Sequence, residues 1–407
     1  MNDRKWQPRK ILFIGTYAGK QYFEQLVFEK KYIQLAANQT EKYYIEELSN
    51  LKLPLCVLSG LVTNGAPVKD LFVKKNVEEE NGYIVSNVGF LNIPYVSVAS
   101  QNISIRKEAR LLANRQDWSN TLIIVYSMRI PYFEAAKIIK DRYPSSKIVN
   151  IVPDLPAFMH GGKDPIIRKL LSGFNERRLS KLRKNVDGYV LYSKHMSSYL
   201  NLKDDEWIVI EGIYNGSKDC PVAAKDNSGK QRFIYAGGIE EAYGAKNLVE
   251  GFLKAHINDA ELLFYGSGSY SAQIEELQKD NQNIKYCGLV SPDEMRRIML
   301  SATALINPRP AGSEFTRYSC PSKVIEYMST GVPVIMTMLE GIPEDYYRYV
   351  YTISKDGPDG VAEALVSFSN TDETERKRKG IQAREYILEN KNASKQVSRM
   401  IDFATKL

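Results

Sequence analysis

Cysteine pairs, long apolar stretches and short repeats are all lacking in this sequence. Its four cysteines, Cys56, Cys220, Cys287 and Cys320, form no Cys-x-x-Cys pair, which argues against a zinc site and against a disulfide framework. No stretch approaches about 18 consecutive apolar residues, so no membrane-spanning helix is predicted. The apolar run at residues 11–14 is far too short for a signal peptide. We therefore expect reduced thiols in a cytoplasmic protein.

The composition is otherwise that of an ordinary globular protein. The chain has 407 residues, of which 43% are hydrophobic and 25% are charged, and this length makes two domains the default. The net charge of +7 suits an acidic ligand or an anionic membrane surface. It does not by itself indicate nucleic acid, which is not among the predicted partners. Composition gives no information on the oligomeric state.

Strand and helix patterns alternate in two blocks on either side of a polar segment. Strands of the first block are predicted at 10–15, 54–58, 95–98, 121–126, 147–152, 188–192 and 207–211. Strands of the second block are predicted at 232–236, 261–265, 283–286, 302–306 and 332–336. The segment 215–230 is rich in Gly, Ser, Lys, Asp and Asn, which is typical of a linker. Because strands that alternate with helices form parallel sheets, the predicted fold class is α/β, with two Rossmann-like parallel-sheet domains facing a cleft.

A helix predicted within residues 321–335 carries the most informative pattern. Ser319 is its candidate N-cap, and Gly331 ends it before the strand at 332–336. In open α/β sheets, ligands bind at the carboxyl ends of strands, where the N–H groups of helix N-termini attract anions. This helix is therefore a candidate anion-binding element.

Ser322 and Lys323 stand at that candidate anion site, and Glu326 lies one turn further on the same face as Ser322. A cation followed by a carboxylate at this spacing suits a nucleotide diphosphate with a ribose behind it. The alternative is an ordinary amphipathic helix with a solvated lysine and glutamate. This segment alone leaves the two interpretations open.

A series of landmarks along the chain carries a family resemblance. They are a glycine loop at Gly15 and Gly19, then residues 153–155, 209–212, 235–238, 264–268, 286–290 and 321–333. With this ordered set, the chain resembles a GT-B glycosyltransferase of the family 4 type (glycosyl transferases group 1), in a divergent subfamily. The similarity covers essentially the whole length.

The resemblance implies a metal-independent glycosyltransferase of the hexosyltransferase class that retains anomeric configuration and needs no cofactor. A UDP- or GDP-linked sugar would be held by the C-terminal half, and the acceptor by the N-terminal half. Many members of the family build surface polysaccharide on lipid-linked acceptors at the cytoplasmic face of the membrane. The implied partners are therefore a nucleotide sugar, a lipid-linked or oligosaccharide acceptor and an anionic membrane surface, for an enzyme peripheral at the inner face of the cell membrane.

The expected domains follow from the resemblance and the polar joint. They are an acceptor-binding domain at 1–214, a linker at 215–230, a nucleotide-sugar-binding domain at 231–390 and a C-terminal helix at 391–407 that can return to the N-terminal domain. Glycines at strand ends, where a backbone can approach a ligand closely, are assigned to the donor site. These are Gly15, Gly237, Gly238, Gly266 and Gly288. For Gly15 the alternative is a plain strand–helix turn.

Two departures from the family pattern concern the donor site. The usual motif has two glutamates; if Glu326 is the second, the first falls on Tyr318, and Glu314 is its candidate replacement. Gly238 and Tyr243 stand where the family usually has an arginine and a lysine.

Replacement cations are available in the loop and helix that follow residue 307. Arg309, Arg317 and Lys323 are the candidates there, with Lys246 as a further one, and no Asp-x-Asp metal site is evident to stabilise the leaving diphosphate. We favour an active divergent enzyme because the three cations fall in one loop–helix unit. The alternatives are a catalytically inactive GT-B scaffold or binding protein, and a sugar-nucleotide epimerase on the same fold.

Asp154 is the candidate catalytic residue of the N-terminal half. It follows a predicted strand and should project into the cleft, where an aspartate can orient or deprotonate an acceptor hydroxyl. The family commonly has a His-Asp pair there, and Pro153 replaces the histidine; His160 is the only histidine nearby. The alternative is a turn aspartate beside Pro156.

Residues 163–184 combine eight basic residues with interleaved apolar ones. A basic amphipathic helix can lie on an anionic leaflet, and Arg177, Arg178, Lys181 and Lys184 are its candidate membrane or acceptor contacts. The alternative is a helix that covers the sheet with a solvated basic face.

Overall fold

The computed structural model describes residues 6–28, 35–61, 71–93, 96–156, 166–216 and 229–407. The chain folds into two compact units, an N-terminal unit of 1–213 with 393–407 and a C-terminal unit of 214–392. Cys220, His160 and residues 217–228 of the predicted linker lie outside the described residues, as do residues 163–165 of the basic segment.

The N-terminal unit is built on a mainly parallel sheet. Its strands are β1 (Lys10–Gly15), β2 (Leu55–Ser59), β3 (Phe72–Val73), β4 (Asn76–Glu80), β5 (Tyr83–Asn87), β6 (Phe90–Leu91), β7 (Thr121–Tyr126), β8 (Lys147–Val152), β9 (Gly188–Leu191) and β10 (Trp207–Val209). Eight of them form one sheet in the order β10-β9-β8-β7-β1-β2-β5-β4, parallel except for β4, while β3 and β6 form a separate antiparallel pair. Strands β1, β7 and β8 are mostly apolar, with Asn150 as a buried polar residue inside β8, and all three are buried almost throughout, as expected for a parallel sheet covered on both faces.

Helices of the N-terminal unit connect these strands. They are α1 (Lys20–Phe28), α2 (Leu35–Ser49), α3 (Ser97–Arg115), α4 (Ile130–Arg142), α5 (Ile166–Arg183) and α6 (His195–Leu200).

The C-terminal unit is a second parallel α/β layer structure. Its strands are β11 (Gln231–Gly238), β12 (Ala260–Ser267), β13 (Ile284–Gly288), β14 (Ala304–Asn307), β15 (Val334–Thr337) and β16 (Tyr351–Ile353), in the order β13-β12-β11-β14-β15-β16. Its helices are α7 (Ala245–Ala255), α8 (Ser271–Leu277), α9 (Pro292–Leu300), α10 (Glu314–Arg317), α11 (Ser322–Thr330), α12 (Pro358–Ser369) and α13 (Glu373–Asn390), with 3-10 turns at Glu241–Tyr243 and Glu344–Tyr349. The last helix, α14 (Ala393–Lys406), packs against α2 and belongs to the N-terminal unit.

The order of strands reverses at one point in each sheet, and such points form a crevice at the carboxyl ends of the strands. In the N-terminal unit the reversal lies between β1 and β7, and in the C-terminal unit between β11 and β14. Pairing of β11 with β14 stops at Ile234 and Leu305, whereas pairing of β11 with β12 continues to Gly238. Strands β11 and β14 therefore part before they reach their carboxyl ends.

The predicted fold class is confirmed, because both units are Rossmann-like α/β structures built on parallel sheets. The strands predicted at 10–15, 121–126 and 147–152 have the observed bounds. Ser291 caps α9, accepting a hydrogen bond from the Glu294 amide at 3.3 Å.

Two local predictions are wrong. A strand was predicted at 95–98, but the described residues of this segment do not form one, because Ser97 begins α3. The valines of this segment suggested a buried strand, but Val98 is 56% exposed and does not pack in a sheet. Ser319 does not cap α11; Pro321 occupies the N-cap position, and the Ser319 hydroxyl has no hydrogen-bond partner. Among the described residues, no helix is long and apolar enough to cross a membrane.

Candidate functional site

Helix α11 is fixed at the crevice of the C-terminal unit by one tyrosine. The Tyr327 hydroxyl accepts a hydrogen bond from the Ala236 amide at 2.8 Å and donates one to the Ala236 carbonyl at 2.9 Å. These are backbone groups of β11 beyond the point where β14 has parted from it. Tyr327 is fully buried, so its hydroxyl supplies the partner that a neighbouring strand would otherwise provide.

This anchor places the first turn of α11 over the end of β11. The Lys323 side chain runs directly across Gly237: a β-carbon at residue 237 would lie 1.9 Å from Lys323 Cε. Gly237 has a φ of 145°, and Gly266 on the next strand approaches its carbonyl so closely that a β-carbon there would lie at 1.8 Å. Glycine is thus required at both predicted positions by backbone conformation and by close packing.

Lys323 is an incompletely compensated cation. Burial lowers its pKa, and the nearby guanidinium of Arg309 acts in the same direction, while Glu326 opposes them. Within the described part of the chain, no carboxylate lies within ion-pair distance of its ammonium group. An anion bound in the crevice would stabilise the charged form of Lys323 against burial and against the repulsion from Arg309, so the site favours a negatively charged ligand.

Arg309 reaches the same place from the loop after β14. Its guanidinium lies 4.4 Å from the ring centroid of Tyr243 and 5.4 Å from that of Phe315. The ring of Tyr243 in turn occupies space that a side chain at residue 238 would need, since a β-carbon there would lie 3.3 Å from it. Gly238 and Tyr243 therefore form a platform for Arg309, and cation–π contact holds the guanidinium near Lys323.

The remaining predicted donor residues occupy different surroundings. Ser322 and Glu326 are exposed on the first turns of α11, and Gly288 ends β13 with a φ of 69°. Glu314 is exposed at the start of α10.

Two of the candidate cations form ion pairs on the surface. Arg317, at the end of α10, pairs with Glu340 at 3.2 Å, and Lys246 pairs with Glu241 at 3.5 Å. Of the candidate cations, the structure brings only Arg309 and Lys323 together at Gly237.

One buried donor completes the lining of this crevice. Asn307, at the carboxyl end of β14, is 7% exposed, and its side-chain amide nitrogen has no hydrogen-bond partner. A buried N–H without a partner costs about 1–3 kcal/mol, which a ligand oxygen can recover.

In the N-terminal unit, the loop after Gly15 is occupied by a carboxylate of the protein itself. Glu41, from α2, accepts hydrogen bonds from the amides of Thr16 (2.8 Å) and Tyr17 (3.0 Å) and from the Thr16 hydroxyl. A β-carbon at residue 15 would lie 2.1 Å from its carboxylate, so glycine is needed here for an internal contact. Burial raises the pKa of Glu41 to about 8, against the opposing effect of these hydrogen bonds.

Asp154 is exposed and lies just past the end of β8, at the carboxyl edge of the N-terminal sheet. Burial raises the pKa of Tyr192 well above its usual value, with further contributions from Tyr126 and from Asp154. Asp154 therefore lies beside these two buried tyrosines.

The basic helix exists as α5, but its charges are not equivalent. Arg178 pairs with Glu134 of α4, whereas Arg177, Lys181 and Lys184 are exposed. The side chains of residues 166–172 and 174 lie outside the described residues. Three of the four candidate contacts thus remain on the solvent face.

Comparison with known proteins agrees with this arrangement. Residues 230–370, within the C-terminal unit, match the family model described as glycosyl transferases group 1. The chain is also similar to sucrose-phosphate synthase from Thermosynechococcus elongatus, at 13% identity over 98% of this chain and 99% of that one, with a TM-score of 0.66. Residues 230–370 are thus similar to glycosyl transferases group 1, and the whole chain has the fold of GT-B glycosyltransferases.

Two further solved structures similar to this chain are complexes with UDP. HepE of Anabaena, in complex with UDP, is 13% identical over 98% of this chain and 100% of that one, with a TM-score of 0.62. A variant of TarM from S. aureus, in complex with fondaparinux, alpha-GlcNAc-glycerol and UDP, is 8% identical over 97% and 99%, with a TM-score of 0.62. At these identities the likeness establishes the fold alone. No curated protein matches the sequence.

Sequence reasoning did not single out Tyr327, Glu41 or Arg129. Tyr327 lies within the landmark at 321–333, but its hydroxyl contacts Ala236 only because β14 stops pairing with β11 before that residue. Glu41 lies 25 residues from its partner Thr16, and Arg129 follows β7 without any motif. A charged residue in the loop after a buried strand was the available signal for Arg129.

Proposed function

We propose that this protein transfers a sugar from a UDP- or GDP-linked donor to a lipid-linked saccharide acceptor in the synthesis of a cell-surface polysaccharide, with retention of configuration. The observation that carries the donor half of this proposal is the pair of cations, Lys323 and Arg309, at the glycine-lined end of β11. The acceptor, pathway and stereochemistry rest on the family resemblance.

The two cations suit the leaving diphosphate. Charge develops on the departing phosphate oxygens, and fixed cations in a poorly solvated site stabilise it without reorganisation. Where the family usually has an arginine and a lysine, this chain has Gly238 and Tyr243, and the ring of Tyr243 supports Arg309. We propose that Arg309 and Lys323 take over the missing contacts, so that the reaction proceeds without a metal ion or other cofactor. We propose that Asn307 and Ser322 donate further hydrogen bonds and that Glu326 binds the ribose hydroxyls.

On the acceptor side, we propose that Asp154 orients or deprotonates the attacking hydroxyl. Its exposed position at the carboxyl edge of the N-terminal sheet supports this role. Asp154→Asn keeps the size of the side chain and removes its charge. Turnover should fall strongly while donor affinity stays nearly unchanged; equal turnover would reduce Asp154 to a turn residue.

We also propose that the enzyme works at the inner face of the cell membrane. The exposed charges of Arg177 and Lys181 on α5, and of Lys184 directly after it, support contact with anionic lipid.

The decisive experiment measures nucleotide release from a panel of sugar nucleotides in the presence of a lipid-linked acceptor extract. We expect turnover with one nucleotide series, and the choice between UDP and GDP identifies the donor base. Lys323→Ala should weaken nucleotide binding by about 1.5–3 kcal/mol, or roughly 10- to 150-fold. Lys323→Arg keeps the charge, and Lys279→Ala removes a cation that pairs with Glu276 on the exposed surface.

Each alternative has its own outcome in this experiment. Nucleotide binding without turnover against any acceptor would indicate a scaffold, and interconversion of sugar nucleotides would indicate an epimerase. If calorimetry gives the same affinity for Lys323→Ala, Lys279→Ala and the parent, the proposed donor site is wrong.

A further inference from the structure

A second cation stands at the strand-order reversal of the N-terminal sheet. Arg129 follows β7, the strand that pairs with β1 at the reversal. Its Nη1 donates a hydrogen bond to the Tyr132 hydroxyl at 3.2 Å, and that hydroxyl donates to the Gly60 carbonyl at 2.6 Å. The Gly60 amide donates in turn to the Gly15 carbonyl at 3.0 Å. These contacts place the guanidinium at the carboxyl ends of β7, β1 and β2.

The charge of Arg129 is held in place but poorly neutralised. The guanidinium lies 5.4 Å from the ring centroid of Tyr132, and the side chain is partly buried. No carboxylate in the described ranges lies within ion-pair distance of it. Glu41 is the nearby acidic group, and its carboxylate already accepts the hydrogen bonds of Thr16 and Tyr17. Burial raises the pKa of Glu41 to about 8, which weakens the opposing charge that it presents to Arg129 at neutral pH.

An unsatisfied hydroxyl lies two residues before this cation. Ser127 is 6% exposed, and its hydroxyl has no hydrogen-bond partner. The loop amides nearby are not available to a ligand, because Glu41 takes those of Thr16 and Tyr17 and Asn38 takes that of Ala18 at 2.7 Å. An anion at this edge would therefore bind through side chains, with Arg129 as the principal contact.

We propose that Arg129 and Ser127 bind a phosphate group of the acceptor, at a site separate from the donor cations. This inference rests on the proposed function, and it adds that the acceptor is a phosphate ester. The guanidinium presents several N–H groups in a fixed fork that suits phosphate oxygens. The phosphate can belong to a lipid carrier or to a soluble sugar phosphate, and both present the same ester chemistry.

The test separates this site from the donor site. In the Lys323→Ala background, which weakens the donor site, calorimetric titrations use three probes: hexose 1-phosphate, a detergent-solubilised isoprenyl phosphate and the neutral methyl hexoside. The same titrations are made with Arg129→Gln added. Arg142→Gln is the matched control, because Arg142 ends the helix α4 that Arg129 precedes, and its guanidinium is 5.9 Å from the ring centroid of Tyr143.

We expect at least one phosphate ester to bind, with affinity about tenfold or more lower in Arg129→Gln and unchanged in Arg142→Gln. The ester that binds identifies the source of the phosphate, and the neutral hexoside should show no dependence on Arg129. Nucleotide affinity of Arg129→Gln in the otherwise unchanged protein should match the parent. A failure of the proposed function would appear separately, as absence of nucleotide binding or of turnover.

Three results would overturn the inference. They are no binding of either ester, equal binding with and without Arg129, and loss of nucleotide affinity in Arg129→Gln. If Arg129 serves only the fold, Arg129→Gln lowers the unfolding temperature while ester affinity stays the same. Arg129→Lys keeps a positive charge without the guanidinium fork and should restore part of the ester binding.

Discussion

Removal of a single hydroxyl, in Tyr327→Phe, tests how the donor crevice is built. The hydroxyl bonds both polar backbone groups of Ala236 in a region without solvent access. Each buried group left without a partner costs about 1–3 kcal/mol, so the free energy of unfolding of the C-terminal unit should fall by about 2–6 kcal/mol. Urea unfolding measured by fluorescence gives this value directly.

The same variant should lose affinity for the nucleotide. The tyrosine holds the first turn of α11 against β11, and Lys323 crosses Gly237 from that turn. Without the anchor, the ammonium group is no longer fixed over the end of the strand. We expect nucleotide affinity to fall at a temperature where the variant is still folded.

Tyr347→Phe is a matched control for this prediction. Its hydroxyl accepts from the Leu339 amide at 2.7 Å and donates to the Leu339 carbonyl at 2.8 Å, the same bonding pattern in a partly buried position. This control should destabilise the unit without weakening nucleotide binding. Equal stability of Tyr327→Phe and parent would refute the energetic reasoning, and equal loss of affinity in both variants would show that the anchor has no specific role.

Further predictions concern pH and membrane binding. The lowered pKa of Lys323 means that nucleotide affinity should decline as pH rises toward 10.5, whereas Lys323→Arg should show no such decline in the same calorimetric series. Glu41 has a folded pKa of about 8 against an ordinary 4.5, so between these values the folded state holds a proton that the unfolded state has lost. The free energy of unfolding should therefore fall as pH rises from 4.5 to 8, by up to about 1.4 kcal/mol per pH unit. Glu41→Gln should flatten that dependence in thermal melts, and an unchanged slope would assign it to another group. Changing Arg177, Lys181 and Lys184 together to Gln should abolish salt-sensitive sedimentation with anionic vesicles; equal sedimentation of the variant and the parent would leave α5 as sheet cover.

Buried strands were the most predictable part of the fold. Residues 121–126 form a continuous apolar run bounded by polar residues, and such a run has few alternatives to a covered parallel strand. The start of α3 was not predictable in this way, because its buried positions, such as Ile105 and Ala109, lie further along the helix than the valines that suggested a strand. Local sequence identifies an element only where its periodicity is visible.

The candidate site was predictable in its residue types but not in its grouping. Arg309, Arg317 and Lys323 are close in sequence, yet Arg317 lies at the end of the short helix α10 and pairs with Glu340. Arg309 joins Lys323 because an aromatic platform built from Tyr243 and Phe315 receives it. Such a platform depends on contacts between segments that are far apart in the chain, and the spacing of residues in the sequence does not predict them.

The carboxylate of Glu41 has a consequence for how the two halves divide their work. Consecutive backbone amides such as those of Thr16 and Tyr17 form the kind of concave nest that holds phosphate in many nucleotide-binding proteins. Here the nest is filled by the side chain of Glu41, which is tethered to the same chain and therefore competes with any diffusing phosphate. These two amides are consequently not available to another anion. If the N-terminal unit binds phosphate as proposed, it does so through side chains, and each side chain can be changed by a single substitution.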